Sequence, residues 1–397
     1  MTQPIPTAAS VRVLRTLQEL EGIRPEWESW SGNRDSEMDT YLACLRSIPA
    51  TVRPHVVVVD RGGRPDAILV GRIDLGHVSC RLGYLRLNLP ANILCFVYGA
   101  LRGNASKENC DLIVCSVLQS LSDREADVAN MNFLREDSEL SRLAKKEPGA
   151  LSRDYLRVTQ QHYAAALPAS VDEFYRGLSP KVRKNQKRQA KKLVDHFSGD
   201  VTVRCFRKVA EIDDLVVDVG RIALRSYQRG LGVGFFDNAH TREQLRLKAE
   251  KGWLHGYVLY LAGRPCAFVI GDINGNTFGT DYVGYDAEFA SHSPGMYLVM
   301  RVIEGFCDGH REGVTGVDFG TGHAQYKQVL SNQEWCETSV YIFSPNLKGI
   351  GINMVRTLIV GTDQLIKKML ARTSLLKKVK KAWRGRAKLK EPVHAGA

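Results

Sequence analysis

Two stretches nearly repeat each other, "GRPDAILVGRI" at Gly63–Ile73 and "GRPCAFVIGDI" at Gly263–Ile273, with Gly, Arg, Pro, Ala, Gly and Ile in register at an offset of 200 residues. Each is preceded by a β-rich run, "HVVVVDRG" from His55 and "HGYVLYLAG" from His255. Each pair therefore reads as a β-hairpin with Gly-Gly or Gly-Arg at its turn. The downstream order of elements is repeated as well. After the second hairpin come a strand in "NTFGTDYVGYDAEF", a helix in "SPGMYLVMRVIEGFCDGH", and strands in "VTGVDF" and "CETSVYIF". After the first come "GYLRLNL", the helical "SKENCDLIVCSVLQSL", "ADVANMNFL" and the strand-like "DYLRVTQ". A helix-then-strand crossover after a hairpin puts one parallel pair inside an otherwise antiparallel sheet. The expected architecture is thus α/β (α+β): tandem mixed sheets flanked by helices, residues 1–165 forming one domain and 170–345 another, joined near "AAALPAS".

A chain of 397 residues exceeds one ordinary core, which agrees with two domains and an appendage. The net charge of +12 is unevenly placed: from Asn346 onward thirteen Lys and Arg face only Asp363 and Glu391, so the rest of the chain is nearly neutral. A general nucleic-acid-binding body is not implied. In the tail, residues 346–397, Val355, Leu358, Ile359, Leu365, Ile366, Met369, Leu376, Val379 and Trp383 trace a helical stripe opposite the lysines. A basic amphipathic helix of this kind lies on anionic lipid, or docks its first half on the body. No apolar run reaches the roughly 18 residues that span a bilayer, and "MTQPIPTAAS" has no secretory pattern, so a cytoplasmic protein is expected, with membrane contact only through the tail. Nine cysteines without a C-x-x-C pair read as reduced, mostly core, residues, and no metal is expected.

Three further strings, "LSPKVRKNQKRQAKKL" (Leu178–Leu193), "SPGMYLVMRVIEGF" (Ser293–Phe306) and "VDFGTGHAQYKQVL" (Val317–Leu330), resemble the GNAT acyltransferase superfamily. The resemblance is strongest to its branch of Fem-type peptidyltransferases and CelD-like proteins of polysaccharide biosynthesis. It covers Val171 to about Phe343 and reaches the first half only through the duplicated hairpin. It implies tandem GNAT-like domains, the first one degenerate, and transfer of an acyl group from acyl-CoA, acetyl-CoA foremost. The acceptor would be an amine or hydroxyl of a small-molecule or lipid-linked glycan, in an envelope or exopolysaccharide precursor. One departure stands out: where the superfamily carries a [QR]-x-x-G-x-[GA] pyrophosphate loop, this chain reads "ASHSPGM". Two rival expectations are a Fem-like transferase using aminoacyl-tRNA and a non-catalytic scaffold. The absence of a heptad-patterned helical arm weighs against the tRNA reading.

At "SPGMYLVM", Ser293 suits an N-cap and Pro294 the first turn, leaving the N–H groups of Gly295, Met296 and Tyr297 for a donor phosphate. In "GVDFGTGHAQYKQ", Asp318 falls at a strand's carboxyl end, and His323, Tyr326 and Lys327 are spaced i, i+3, i+4 on the next helix. Acyl transfer needs one group to take the acceptor's proton and another to protonate the leaving group. Asp318 or His323 suits the first task and Tyr326 the second. Lys327 suits donor phosphate or a substrate carboxylate. Each also has a plain reading, as turn acceptor, capping residue or core. Acceptor contacts are expected from Arg225, Tyr227 and Gln228 in a Gly-rich loop, and from Asp281 or Tyr282, which alternation sends to opposite faces. In "SPKVRKNQKRQAKKL", Arg183, Lys184 and Arg188 belong to a cationic face whose like charges oppose the helix by roughly 0.2 to 0.5 kcal/mol per pair. An anionic partner relieves that penalty.

Overall fold

The computed structural model describes residues 9–47, 51–83, 85–226 and 234–372. In chain order the first half holds β1 (Ala9–Leu14), α1 (Leu17–Glu21), α2 (Arg24–Ser29), α3 (Met38–Ser47), β2 (Arg53–Arg61), β3 (Arg64–Leu82), β4 (Leu85–Gly103), α4 (Lys107–Ser122), β5 (Val128–Arg135), α5 (Glu139–Lys146) and β6 (Val158–Ala166). The second half continues with α6 (Val171–Gly177), α7 (Pro180–His196), β7 (Val201–Phe206), α8 (Ile212–Arg225), α9 (Ala239–Glu250), β8 (Leu254–Leu261), β9 (Arg264–Asn274) and β10 (Thr277–Tyr285). It closes with α10 (Pro294–Cys307), β11 (Gly316–Thr321), α11 (Gln325–Leu330), β12 (Gln333–Phe343) and α12 (Leu347–Arg372).

The strands form one 12-stranded sheet in the order β1-β2-β3-β4-β5-β12-β6-β11-β10-β9-β8-β7. Two pairs are parallel, β4 with β5 and β10 with β11, one in each half as the crossovers require. The duplication extends to its irregularities. Val59 pairs Ala67 and Asp60 pairs Pro65, and Leu259 pairs Ala267 and Tyr260 pairs Pro265, so each hairpin bulges one residue after its proline. The turns are left-handed at Gly62 and Gly63 in one copy and at Ala262 and Gly263 in the other. The second turn is thus Ala-Gly, an alanine taking the positive φ where glycine was expected.

The apolar hairpin runs are buried on both faces, which explains why they lack polar alternation. Val57 and Val59 face α4 and α5, whereas Val56 and Val58 face α1 to α3. In the second half Leu259, Ala267 and Val269 join α6, α7 and α10, whereas Val258, Phe268 and Ile270 join α8 and α9. At the centre the last strand of each half lies beside the other: β6 pairs β11 and β12, and β12 pairs β5 and β6. The halves are also tied away from the sheet. Arg34 stacks 3.8 Å over Trp253 and donates to the Ile273 carbonyl at 2.8 Å, and Lys251 binds Asp39.

The first half of α12 docks on the body through Ile352, the Asn353 amide on the Leu151 carbonyl, and a buried Arg356–Asp154 pair at 2.6 Å. Its apolar stripe does not form the single face that the sequence suggested. Ile359 packs inward, whereas Leu358, Leu365 and Met369 are exposed. The basic stretch 373–397, with Leu376, Val379 and Trp383, lies outside the described residues.

Candidate active site

β10 and β11 pair only through Thr277–Gly279 and Gly316–Asp318. Beyond that point β10 stays with β9 to Tyr285, while β11 stays with β6. The last contact between them is the Thr280 hydroxyl on the Asp318 carbonyl at 3.2 Å. The two strands therefore part at Asp318. Gly271 helps set this geometry, because a Cβ there would sit 1.9 Å from the Gly279 carbonyl oxygen. On β11, Val317 and Phe319 face the α10 core, so Asp318 faces the opposite, α8–α9 side.

Asp318 does not stand alone. Its Oδ1 accepts the Gly320 N–H at 2.7 Å and lies 2.6 Å from His162 Nε2, while Oδ2 has no hydrogen-bond partner among the described residues. His162 is buried and stacks on Trp335 at 4.2 Å between ring centroids. Its Nδ1 lies 3.1 Å from Oε1 of the buried Glu337. That oxygen also accepts the Tyr98 hydroxyl at 3.0 Å and the Trp335 indole N–H at 2.9 Å. Burial works against a charge on His162, but the hydrogen bonds and charges of Asp318 and Glu337 outweigh it and raise its pKa to about 9. Burial, then the charges of Glu337 and Asp318, push the Tyr98 phenol upward.

The "HAQYKQVL" segment is less helical than its spacing suggested. α11 begins at Gln325, so His323 precedes the helix and does not share its face with Tyr326 and Lys327. The unmet N–H groups of a short helix are here entered through an extended Ala324. His323 is exposed, with Nδ1 3.2 Å from the Tyr163 hydroxyl, and Tyr163 belongs to the α10 core. Tyr326 packs edge-on against Phe319 on that same side. Lys327 donates to the Thr321 carbonyl at 2.7 Å; burial lowers its pKa and the Asp318 charge opposes that.

At the start of α10 the expected cap is overturned. Ser293 adopts a left-handed backbone (φ 53°) and its side chain makes no capping bond; its carbonyl accepts the Tyr297 N–H at 3.1 Å. Gly295 lies against the Tyr285 ring, where a Cβ would approach to 3.1 Å. His292 leads into this turn, its ring tilted against that of His196 of α7 at 4.4 Å between centroids. Its Nδ1 is buried with no hydrogen-bond partner among the described residues, and burial, then His196 and Lys192, lower its pKa. A cavity between α7 and α10 is lined by Tyr175, Gln186, Gln189, Ser293, Tyr297 and Arg301. Met296 packs at the edge of the α10 core. The matching helix of the first half is closed, since the Ser106 hydroxyl caps Asn109 N–H and the Asn109 amide is held by Asp66.

A bulge between Thr280 and Tyr282 breaks the alternation expected on β10. Both Asp281 and Tyr282 consequently turn toward the α8–α9 side. Asp281 meets Lys248 of α9 at 2.6 Å, and Tyr282 meets Phe235 at 5.6 Å between rings. Lys248 also binds Asp272 at 2.6 Å, so Asp281 is engaged in a structural cluster. Arg225 pairs with Asp286 at 3.4 Å and Glu288 at 3.3 Å. Tyr227 and Gln228 lie outside the described residues. Arg183, Lys184 and Arg188 stand on α7, whose inner face carries Val182, Leu193 and Val194; Arg188 reaches Asn185 at 3.1 Å. Among the described residues no Lys or Arg of α7 has an ion-pair partner.

His162, Glu337, Trp335 and Tyr98 were missed by sequence reasoning. The one available signal was an acid and a tryptophan inside the strand "QEWCETSVYIF", where a buried carboxylate needs partners. Among the described residues no cluster of His, Cys, Asp and Glu suits a metal ion.

Residues 180–328 match a family model described as an acetyltransferase (GNAT) domain. A search of curated protein sequences found no match. Among solved structures, FemX is similar over 84% of this chain and 98% of its own, at 12% identity and a TM-score of 0.51. A tandem GNAT protein from the clavulanic acid biosynthesis pathway is similar over 85% of this chain and 99% of its own, at 11% identity and a TM-score of 0.51. Residues 180–328 thus match a GNAT acetyltransferase domain, and the chain as a whole shares the fold of FemX and of the tandem GNAT protein.

Proposed function

We propose that the second half transfers an acyl group from acyl-CoA, acetyl-CoA foremost, to an amine or hydroxyl of a small-molecule or lipid-linked acceptor. The observation that carries this reading is the parting of β10 and β11 at Asp318, beside a helix start that no side chain caps. The start of α10 fits a phosphate-bearing donor. Gly295 and Met296 offer N–H groups, His292 offers an Nδ1 without a partner among the described residues, and Lys192 adds positive charge nearby. The donor supplies an acyl thioester. Asp318 Oδ2 takes the proton of the acceptor nitrogen or oxygen as that atom bonds to the acyl carbon and the C–S bond breaks. The thiolate departs as the anion and is protonated from solvent; Tyr326, packed against Phe319 on the α10 side, is not assigned to it. His323 is not assigned the base, because its ring is held by Tyr163 on the other face of β11. Incubating the full chain with acetyl-CoA and a panel of amines and sugars should release free thiol, and mass spectrometry of ligand retained by the purified protein should show a CoA mass. Co-purifying aminoacyl-tRNA with no CoA retention would instead favour the tRNA-dependent alternative, and neither would favour the scaffold.

A membrane-side location is supported by a second observation. Leu347, Met354, Leu358, Leu365 and Met369 are all more than half exposed along α12, and the sequence beyond it carries eight Lys and Arg against Glu391. Such a surface binds anionic lipid through apolar area and charge together. Among the described residues no helix is long and apolar enough to cross a membrane. Full-length protein should sediment with phosphatidylglycerol-containing vesicles, and truncation after residue 346 should reduce the bound fraction at least fivefold. Equal binding by both forms removes this location from the proposal.

A further inference from the structure

We infer that His162 is a positioning residue for Asp318: clamped as an imidazolium between Asp318 and Glu337, it fixes the carboxylate with Oδ2 toward the parted strands. The first half of the chain then has a task in a site it does not otherwise share, because His162 and Tyr98 come from it and Trp335 and Glu337 stand on the strand inserted beside β5. The inference rests on the assignment of Asp318 as the proton acceptor.

The geometry requires the charge. Both imidazole nitrogens face carboxylate oxygens, at 2.6 Å and 3.1 Å, and a neutral ring has only one N–H, which would set a nitrogen lone pair against an oxygen lone pair; the Tyr98 hydroxyl, 3.4 Å from Nδ1, has its one proton on Glu337 at 3.0 Å. Nor does Glu337 provide the missing proton. Its Oε1 already accepts from Tyr98 and Trp335, and a proton on its buried Oε2 would find no acceptor among the described residues. The groups that act on this pair come from several elements: Asp318 from β11, Glu337 from β12 and Tyr98 from β4 face His162, while Lys327 of α11 acts on Asp318 and Asp35 acts on Tyr98. Stacking on Trp335 removes the remaining rotational freedom of the ring. With Oδ1 spent on His162 and Gly320, Asp318 presents one oxygen in one orientation.

The test uses the full chain labelled with 15N-histidine, with the His162 signal assigned by its loss in His162→Gln. At pH 7.5 both ring nitrogens should be protonated, and the midpoint should lie at least one pH unit above the roughly 6.5 of a free histidine. Glu337→Gln keeps acceptors for Tyr98 and Trp335 but removes the charge, and should lower that midpoint by at least one pH unit. With acetyl-CoA as the donor probe, the same variant should lose roughly tenfold in kcat with KM nearly unchanged, and the alkaline limb of its rate profile should move down with the NMR midpoint. Tyr98→Phe, which takes a donor from Glu337, should instead raise the midpoint, and it serves if Glu337→Gln fails to fold. A neutral ring at pH 7.5, or a kcat that ignores these shifts, overturns the inference. A wild type that turns over no donor sinks the acyl-transfer reading, whereas the protonation of His162 is still decided by its NMR midpoint.

Discussion

Asp318→Asn should lower kcat by roughly 10²- to 10⁴-fold, the range associated with loss of a general base, while KM changes by only a few-fold. The substitution preserves shape: the amide oxygen can still accept from Gly320 and from His162, which hold the carboxylate now. What it removes is the capacity of Oδ2 to take a proton. A loss confined to kcat is the signature of a group engaged in the transition state and not in ground-state binding. Circular dichroism and thermal melting should show the fold intact, so the rate loss is not unfolding. Thiol release from acetyl-CoA by wild type and variant decides the matter. A variant retaining more than a tenth of wild-type kcat, at any pH between 6 and 9, would exclude Asp318 from proton transfer.

Stability should fall as pH rises from 7 to 8.5, with His162 responsible. A histidine whose folded pKa is about 9, against roughly 6.5 unfolded, stabilises the fold fully below 6.5 and loses that contribution as pH climbs through 9. The shift is equivalent to about 3 kcal/mol at low pH, of which about 2 kcal/mol disappears between pH 7 and 8.5. The window matters because His55, lowered to about 4 by burial, has finished titrating below it. Buried thiols such as Cys110 and Cys266, both raised by burial, begin to cost stability at its upper end as their unfolded counterparts ionise, equally in wild type and variant. Urea unfolding of wild type and His162→Gln at both pH values isolates the term. The wild type should lose about 2 kcal/mol more than the variant across the interval, and equal slopes would show that His162 is not charged in the folded protein.

The legibility of this chain divides along the range of its interactions. The hairpins, the crossover helices and the end of β11 were readable because each is specified by neighbours within about twenty residues: turn glycines, alternation and capping order. The repeat then gave the tandem plan without any knowledge of pairing. What escaped is non-local. His162 meets Asp318 across 156 residues and Tyr98 meets Glu337 across 239, and no spacing rule encodes such encounters. Local rules also failed where the backbone departs from regularity. The bulge before Tyr282 put Asp281 and Tyr282 on one side, and the left-handed Ser293 cancelled a cap that composition favoured. Both departures lie next to the parted strands, where strained or irregular backbone tends to collect.

The exchange of last strands has a bearing on how the protein comes into being. β5 ends at Arg135, yet its neighbour on the inner side begins at Gln333, nearly 200 residues later. At roughly 5 to 20 residues per second of synthesis, that edge waits on the order of 10 to 40 s for its partner. A nascent first half therefore carries an open hydrogen-bonding rim, the kind of template that recruits stray chains. Release of the finished polypeptide, and not completion of its early segment, is what seals the centre of the molecule.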